Sequence, residues 1–167
     1  MRSFFLLFFL IFSYGSTDAE NLKPSRGIIA TSNPYASEAA YEIIKKGGNA
    51  IDASIAVQLV LTLTEPQATG IGGGAFMLYW DADKAKLFSI DGREKAPSKA
   101  GEDLFLNKDG TKIKFYPDAV VGAKSVGVPG IIKLLEEAHK KFGKLEWAEL
   151  FDYAIELSKN GFLISPA

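Results

Sequence analysis

Gly47-Gly48-Asn49-Ala50-Ile51-Asp52-Ala53-Ser54-Ile55-Ala56, followed further on by Glu65-Pro66-Gln67-Ala68-Thr69-Gly70-Ile71-Gly72-Gly73-Gly74-Ala75-Phe76, decides how this chain folds. The glycine pair closes one helix, Asn49 opens a second, Glu65-Pro66 stops it, and a glycine cluster feeds the chain into a strand. The second helix is read as starting after Asn49 and running to about Leu63. Ile51, Ile55, Leu59 and either Ser54 or Gln58 share a stripe, and Ala53, Ala56, Val57 and Val60 make much of the remaining surface apolar. A helix of that kind is buried on several sides.

Working upstream, residues 27–32 form a short β-branched run that reads as a strand. Asn33-Pro34 supplies an N-cap and a proline at the first helical position for a helix over 35–46. Ala36, Ala39, Ala40, Ile43 and Ile44 fall on one face, and Gly47 is placed to take the left-handed C-cap. Downstream, the apolar-rich runs 75–81 and 85–91 flank a turn at 81–84 and predict a β-hairpin. A second turn is expected at 107–110, between 104–106 and 113–115. Val126-Gly127-Val128-Pro129-Gly130 reads as a bend into a helix over 131–142, closed by Gly143. A last helix over 146–159 carries Trp147, Leu150, Phe151, Ala154, Ile155 and Leu157, with Asn160-Gly161 as its stop. The class is mixed α and β, α+β in its local order.

The first residues read differently. Met1-Arg2-Ser3 is a short basic start, and residues 4–12 are an unbroken apolar run, followed by Ser13, Gly15, Ser16, Thr17 and Ala19. This is the pattern of a signal peptide cleaved after Gly15 or Ala19, taken over 1–19, with a polar linker over 20–26. The apolar run falls well short of the ~20 residues a spanning helix needs. The expected location is periplasmic or secreted. Roughly 150 residues then remain, the size of one domain. A net charge of -1 leaves no electrostatic footprint for nucleic acid. With no cysteine, the chain has no disulfide, thiolate metal site or thiol nucleophile. The chain ends on an apolar stretch, residues 162–167, which reads as an interruption, since domains ordinarily end in exposed polar segments.

Four motifs could carry chemistry. Gly70-Ile71-Gly72-Gly73-Gly74-Ala75 satisfies the G-x-G-x-x-G/A pattern, but a dinucleotide loop follows a strand and opens a helix, and here the order is reversed. The glycines therefore read as structural. Asp91-Gly92-Arg93-Glu94-Lys95-Ala96-Pro97 lies where the second hairpin strand leaves the sheet, and Gly92 there permits an unusual backbone. Arg93 offers a planar fork to a substrate carboxylate, pairs with Asp91 or Glu94, or sits in solvent. His139 is the only histidine, has no metal-ligand spacing around it and no G-x-S-x-G partner, and reads as part of a solvated helix face. Signal cleavage could expose Ser16 or Thr17, but either would head a polar linker rather than a strand set in a pocket. No cofactor or metal site is expected.

Six blocks in order resemble the large-subunit half of the γ-glutamyltranspeptidases (glutathione hydrolases). They are the helix at 36–46, Gly47-Gly-Asn-Ala-Ile-Asp52-Ala, Glu65-Pro66 with Gly70-Ile-Gly-Gly-Gly74, Asp91-Gly-Arg-Glu-Lys-Ala-Pro97, Gly127-Val-Pro-Gly130 and Asn160-Gly-Phe162. They span 27–167, read as the N-terminal portion of that subunit. The resemblance implies an N-terminal-nucleophile hydrolase fold, a four-layer αββα sandwich incomplete in this chain and shared with a small-subunit half cut from the same precursor. It implies a threonine at the start of that other half, which attacks the γ-glutamyl amide with its own α-amino group as base. Water or an amino-acid or peptide acceptor then resolves the γ-glutamyl-enzyme. The family's arginine for the α-carboxylate falls on Arg93, the only residue carried over. Where the family usually has a bulkier residue before that arginine, this chain has Gly92, expected to loosen it or to mark a branch with another γ-glutamyl or acyl substrate.

None of Thr31, Thr62, Thr64, Thr69 or Thr111 stands in a nucleophile's context, so no catalytic residue is expected in this chain and the chain alone is expected to be inactive. The expected activity of the whole is hydrolysis of glutathione or transfer of its γ-glutamyl group. The alternatives are a related acylase or amidohydrolase acting on another amide, and a non-catalytic binding or assembly module.

Overall fold

The computed structural model describes residues 27–164. The expected signal sequence and linker lie outside the described residues, as do Ser16, Thr17 and residues 165–167. In chain order the main elements are helices α1 (Pro34–Lys45) and α2 (Ala50–Thr64), strands β1 (Ala75–Asp81) and β2 (Lys86–Gly92), and helices α3 (Ile131–Phe142) and α4 (Asp152–Asn160). The class is α+β. Among the described residues no helix is long and apolar enough to cross a membrane.

Both ends of α1 are built as expected. The Asn33 side chain accepts from Tyr35 N at the N-cap, Pro34 is the first helical residue, and Gly47 follows the helix with φ +97. Ala36, Ala39, Ala40 and Ile43 are buried against α2. These small side chains let two helices approach closely. α2 is buried on several sides: Ile51, Asp52, Ala53, Ile55, Ala56, Leu59, Val60 and Thr64 are all inside, while Ser54 stands exposed.

The turn into α2 is also a clasp. Asn49 Oδ1 accepts from Ile51 N at 2.9 Å and Asp52 N at 3.1 Å, and Asp52 Oδ2 accepts in return from Asn49 N at 3.0 Å. This reciprocal capping box is extended across the fold. The Asp52 carboxylate, fully buried, also accepts from Lys144 N at 3.1 Å and from Leu145 N at 3.4 Å. Asn49 Nδ2 donates to Phe142 O. Two side chains of one helix cap thus hold the loop between α3 and the chain leading to α4.

β1 and β2 pair antiparallel, from Ala75 opposite Gly92 to Asp81 opposite Lys86. The inner face carries Ala75, Met77, Tyr79 and Ile90 against the helices, and Phe142 of α3 meets the rings of Tyr79 (4.7 Å) and Phe88 (4.9 Å). The outer face carries Phe76, Leu78, Trp80 and Leu87, all more than half exposed.

Three expectations are corrected. Residues 27–32 form no strand: among the described residues the sheet consists of β1 and β2, and Ile28 is 93% exposed. β2 begins at Lys86, not at residue 85, because Ala85 takes φ +46, which a strand cannot continue. The Asp81 carboxylate holds that turn by accepting from Lys84 N (3.2 Å) and Lys84 Nζ (2.8 Å), and the lysine bond lowers its pKa. The helix expected over 146–159 opens as a 3-10 turn, Trp147–Phe151, before α4. Tight packing accounts for that opening: Trp147 stacks edge-on with His139 and Phe151, and Leu150 is fully buried. Ile155, expected on the apolar side, is 46% exposed.

Replacing Asp52 with Ala strands the N–H groups of Asn49, Lys144 and Leu145 without their acceptor. The expected loss of stability is about 3 kcal/mol, read from the urea midpoint. An unchanged midpoint would show that the clasp carries nothing.

Candidate functional site

The site forms where β2 ends and the chain turns outward at residues 91–95. Glycines surround this corner, and each is there because a neighbour occupies the space of its missing side chain. A β carbon on Gly130 would lie 2.3 Å from Gly92 O, and one on Gly74 would lie 2.7 Å from Gly92 O and 2.9 Å from Arg93 Cα. One on Gly92 would lie 2.5 Å from Leu134 Cβ. The expected loosening at Gly92 is therefore corrected. Gly92 is buried at the end of β2 without a positive φ, and its bareness admits Leu134 of α3 rather than freeing the backbone.

Hydrogen bonds fix the same corner. Lys95 and Val128 exchange backbone bonds of 3.2 and 2.8 Å. Gly73 O accepts from Gly130 N at 3.1 Å and Ile131 N at 3.2 Å, so the glycine loop caps the first turn of α3, which has no side-chain cap. That loop runs into a strand, not a helix, in keeping with its structural reading.

Arg93 emerges from this frame. Its N–H donates to Asp91 Oδ1 at 2.9 Å, and its Nη1 donates to Glu94 Oε2 at 2.5 Å. Of the pairings open from the sequence, the guanidinium makes the one with Glu94, while Asp91 takes the backbone N–H instead. Yet the Arg93 side chain is 62% exposed, against 28% for Glu94, and a guanidinium has five N–H donors to offer. It stands at a shallow cleft of about 280 Å³ whose rim includes Asp91, Lys95, Pro129, Lys133 and Glu137. Lys133 is engaged by Glu136 and Glu137, each at 2.9 Å, which raises its pKa and lowers that of Glu137. Glu136, hydrogen-bonded by Lys140 and then Lys133, is lowered to about 2. The cleft can grip an anion through Arg93, while Lys133 is already paired.

The other sequence candidates take structural roles. His139 does not belong to a solvated face, a second correction. Its side chain is 17% exposed, its Nε2 lies 2.8 Å from Leu145 O and 3.9 Å from Asp52 Oδ1, and its ring meets Trp147. A carbonyl only accepts, so Nε2 carries a proton and donates. The hydroxyls of Thr31, Thr62 and Thr64 each donate to a nearby backbone oxygen, and that of Thr111 donates to Asp109 Oδ1. Among the described residues no group of three or more His, Asp or Glu side chains could hold a metal ion. A larger cavity of about 630 Å³, between residues 27–31 and the two first helices, is lined by Ile44, Ala53, Val57 and other uncharged groups.

Asp52 and Glu94 went unread as working residues. Asp52 was legible, since it stands at capping-box spacing from Asn49. Glu94 had no signal beyond its place beside an arginine.

Residues 36–167 match the gamma-glutamyltranspeptidase family model. The glutathione hydrolase proenzyme of Bacillus subtilis (strain 168) is 45% identical over 138 residues, 83% of this chain and 23% of that protein. The acylase ACY 1 proenzyme of Pseudomonas sp. (strain V22) is 41% identical over 146 residues, 85% of this chain and 26% of that protein. The solved gamma-glutamyltranspeptidase from Pseudomonas nitroreducens, complexed with L-DON, matches with a TM-score of 0.77 at 42% identity, over 84% of this chain and 41% of that one. The chain thus spans about a quarter of the length of these curated relatives.

Gly92→Ala is expected to push Leu134 out of its seat and lower stability by about 1–3 kcal/mol. Gly70→Ala, with no atom nearer than 4.0 Å, should leave the thermal midpoint unchanged. Equal midpoints for the two variants would contradict the close-approach account.

Proposed function

The chain belongs to the γ-glutamyltranspeptidase family, and on that premise we propose that it is the N-terminal portion of the large subunit of an exported precursor. The complete protein hydrolyses glutathione and other γ-glutamyl amides, or transfers the γ-glutamyl group to an amino-acid or peptide acceptor. Its nucleophile is a threonine at the head of the small-subunit half, outside these 167 residues. That hydroxyl adds to the γ-carbonyl while the threonine's own α-amino group takes the proton. The protonated amino group passes that proton to the amide nitrogen, the amine departs, and water or the acceptor cleaves the resulting ester.

This chain's contribution is recognition. Arg93 holds the α-carboxylate of the γ-glutamyl group, which fixes the distance from that carboxylate to the scissile amide. The observation that carries the reading is the corner itself: an arginine whose backbone is locked by glycine packing and hydrogen bonds, with its guanidinium exposed over a cleft. The four-layer sandwich is supported by the hairpin, whose inner face packs on helices while its outer face presents Phe76, Leu78, Trp80 and Leu87, an apolar surface suited to a second sheet. A periplasmic or extracellular location follows from the basic start and apolar run of the first 12 residues.

A second reading, an acylase acting on a different amide, is favoured by one observation. Identity to an acylase proenzyme, 41%, is close to the 45% to a glutathione hydrolase proenzyme. Comparing turnover of glutathione with that of other acyl amides by the complete protein separates the two.

With a γ-glutamyl anilide, the complete protein should release the aniline and the purified 167-residue chain should not. Turnover by the chain alone would overturn the placement of the nucleophile. In the complete protein, Arg93→Ala should raise KM by the equivalent of about 2–4 kcal/mol, with a smaller effect on kcat. An unchanged KM would remove Arg93 from the site.

A further inference from the structure

Three cations line the cleft at the end of β2, and they are not equivalent. Arg93 Nη1 donates to Glu94 Oε2 at 2.5 Å, and Lys133 Nζ meets Glu136 and Glu137, each at 2.9 Å. Lys95 lines the same cleft and is exposed, and among the described residues its ammonium has no ion pair or hydrogen bond. Of the carboxylates that line the cleft, Asp91 accepts from Arg93 N and Glu137 pairs with Lys133. The side chain of Glu94, between Arg93 and Lys95, lies instead against Gly73, Gly74 and Gly127. Residues 93 and 95 thus share one side of the chain, as alternation along extended backbone requires. The backbone of Lys95 is also fixed, since it exchanges bonds of 3.2 and 2.8 Å with Val128.

We propose that Lys95 forms a second carboxylate subsite in this cleft, for γ-glutamyl donors whose leaving amine itself carries a carboxylate, as an amino acid or peptide does. The proposal rests on the reading of Arg93 given above. A γ-glutamyl group has one free carboxylate, because its other carboxyl is taken up in the scissile amide. With the α-carboxylate on Arg93, a second one comes only from the leaving amine. Residues two apart in the chain are at most about 7 Å apart along the backbone, so both charges act on one small substrate. A compact ammonium on a flexible stem suits a carboxylate whose place varies with the leaving group, whereas the planar fork of Arg93 suits the one whose place does not. Charge balance points the same way. Arg93 already faces Glu94, so an arriving α-carboxylate leaves that corner net negative, and a second carboxylate is repelled unless a cation offsets it. Lys133 is held by two glutamates, while Lys95 has no pair to break.

The test is steady-state kinetics on the complete protein with γ-glutamyl para-nitroanilide and with its ring-carboxylated analogue, two donors that differ by one carboxylate on the leaving amine. Lys95→Gln should raise the KM of the carboxylated donor about fivefold relative to that of the plain one, the size of one exposed charge pair. Lys95→Arg, which keeps the charge, should keep the original ratio. In the unaltered protein, added salt should move the ratio toward that of Lys95→Gln, because an exposed pair is screened. That arm holds even if a variant fails to fold. An unchanged ratio in Lys95→Gln overturns the subsite, as does a ratio that salt does not move. A Lys95→Arg variant that behaves like Lys95→Gln also overturns it, since the effect would then be one of shape. Arg93→Ala separates the two levels of failure, because both donors carry the α-carboxylate. If it raises both KM values and Lys95→Gln leaves the ratio alone, the subsite is lost and the carboxylate reading stands. If it raises neither, that reading has failed and the subsite with it.

Discussion

One buried carboxylate sets the geometry on which the rest of the structure depends. Asp52 has no exposed surface, and a charge in that position is tolerated only where its lone pairs are filled. The filling comes from its own helix cap, through Asn49 N, and from a loop 92 residues later, through Lys144 N. Asn49 adds a bond to Phe142 O, and His139 closes the ring by donating to Leu145 O. The turn between α1 and α2 is thereby fastened to the end of α3. With α2 apolar on several sides, this fastening decides which face each neighbour covers.

From there the chain of cause runs to the cleft. α3, anchored at its C-terminal end by the Asp52 clasp, presents Leu134 at the missing side chain of Gly92. Its other end is capped by Gly73 O, the last turn of the loop that feeds β1. The hairpin is held between these contacts and the Phe142 ring. Arg93 leaves β2 one residue after that contact, so its backbone direction is set by helix packing rather than by local preference. A site placed on the end of a packed strand is held more rigidly than one on a free loop.

What the sequence made legible was what depends on near neighbours along the chain. Asn33-Pro34, the periodicity of α1 and α2, the Gly47 cap and the hairpin all follow from local chemistry, and the structure has them within a residue or two. What failed depends on distant partners. The run 27–32 has strand composition, but a strand exists only where a ladder is formed, and none is formed with β1 or β2. His139 sits among charges in sequence and against Trp147 and Leu145 in space. Gly92 looked like a source of freedom because its neighbour Leu134 lies 42 positions away. Arg93 was legible as a residue, but its partner was open, since Asp91 and Glu94 are both within two positions of it along the chain. Gly73, Gly74 and Gly127 all approach the Glu94 side chain, a juxtaposition no local pattern carries.

In the proposed protein recognition and attack lie on separate pieces, and the hairpin offers a face on which they could meet. An antiparallel sheet with one wet face alternates apolar and polar residues, yet β1 reads apolar on both sides, Met77 and Tyr79 inward and Phe76, Leu78 and Trp80 outward. Such a strand is written for cover on both faces, and the helices here supply only one. In the proposed whole, the second layer lies on that outer face and carries the nucleophile. The distance between Arg93 and the attacking oxygen is then set by sheet packing across a dry interface. An arginine on a free loop would have to be ordered anew with every substrate. One on the end of a packed strand meets a carboxylate with its backbone already fixed, and the binding interaction can go into holding the amide in place for attack.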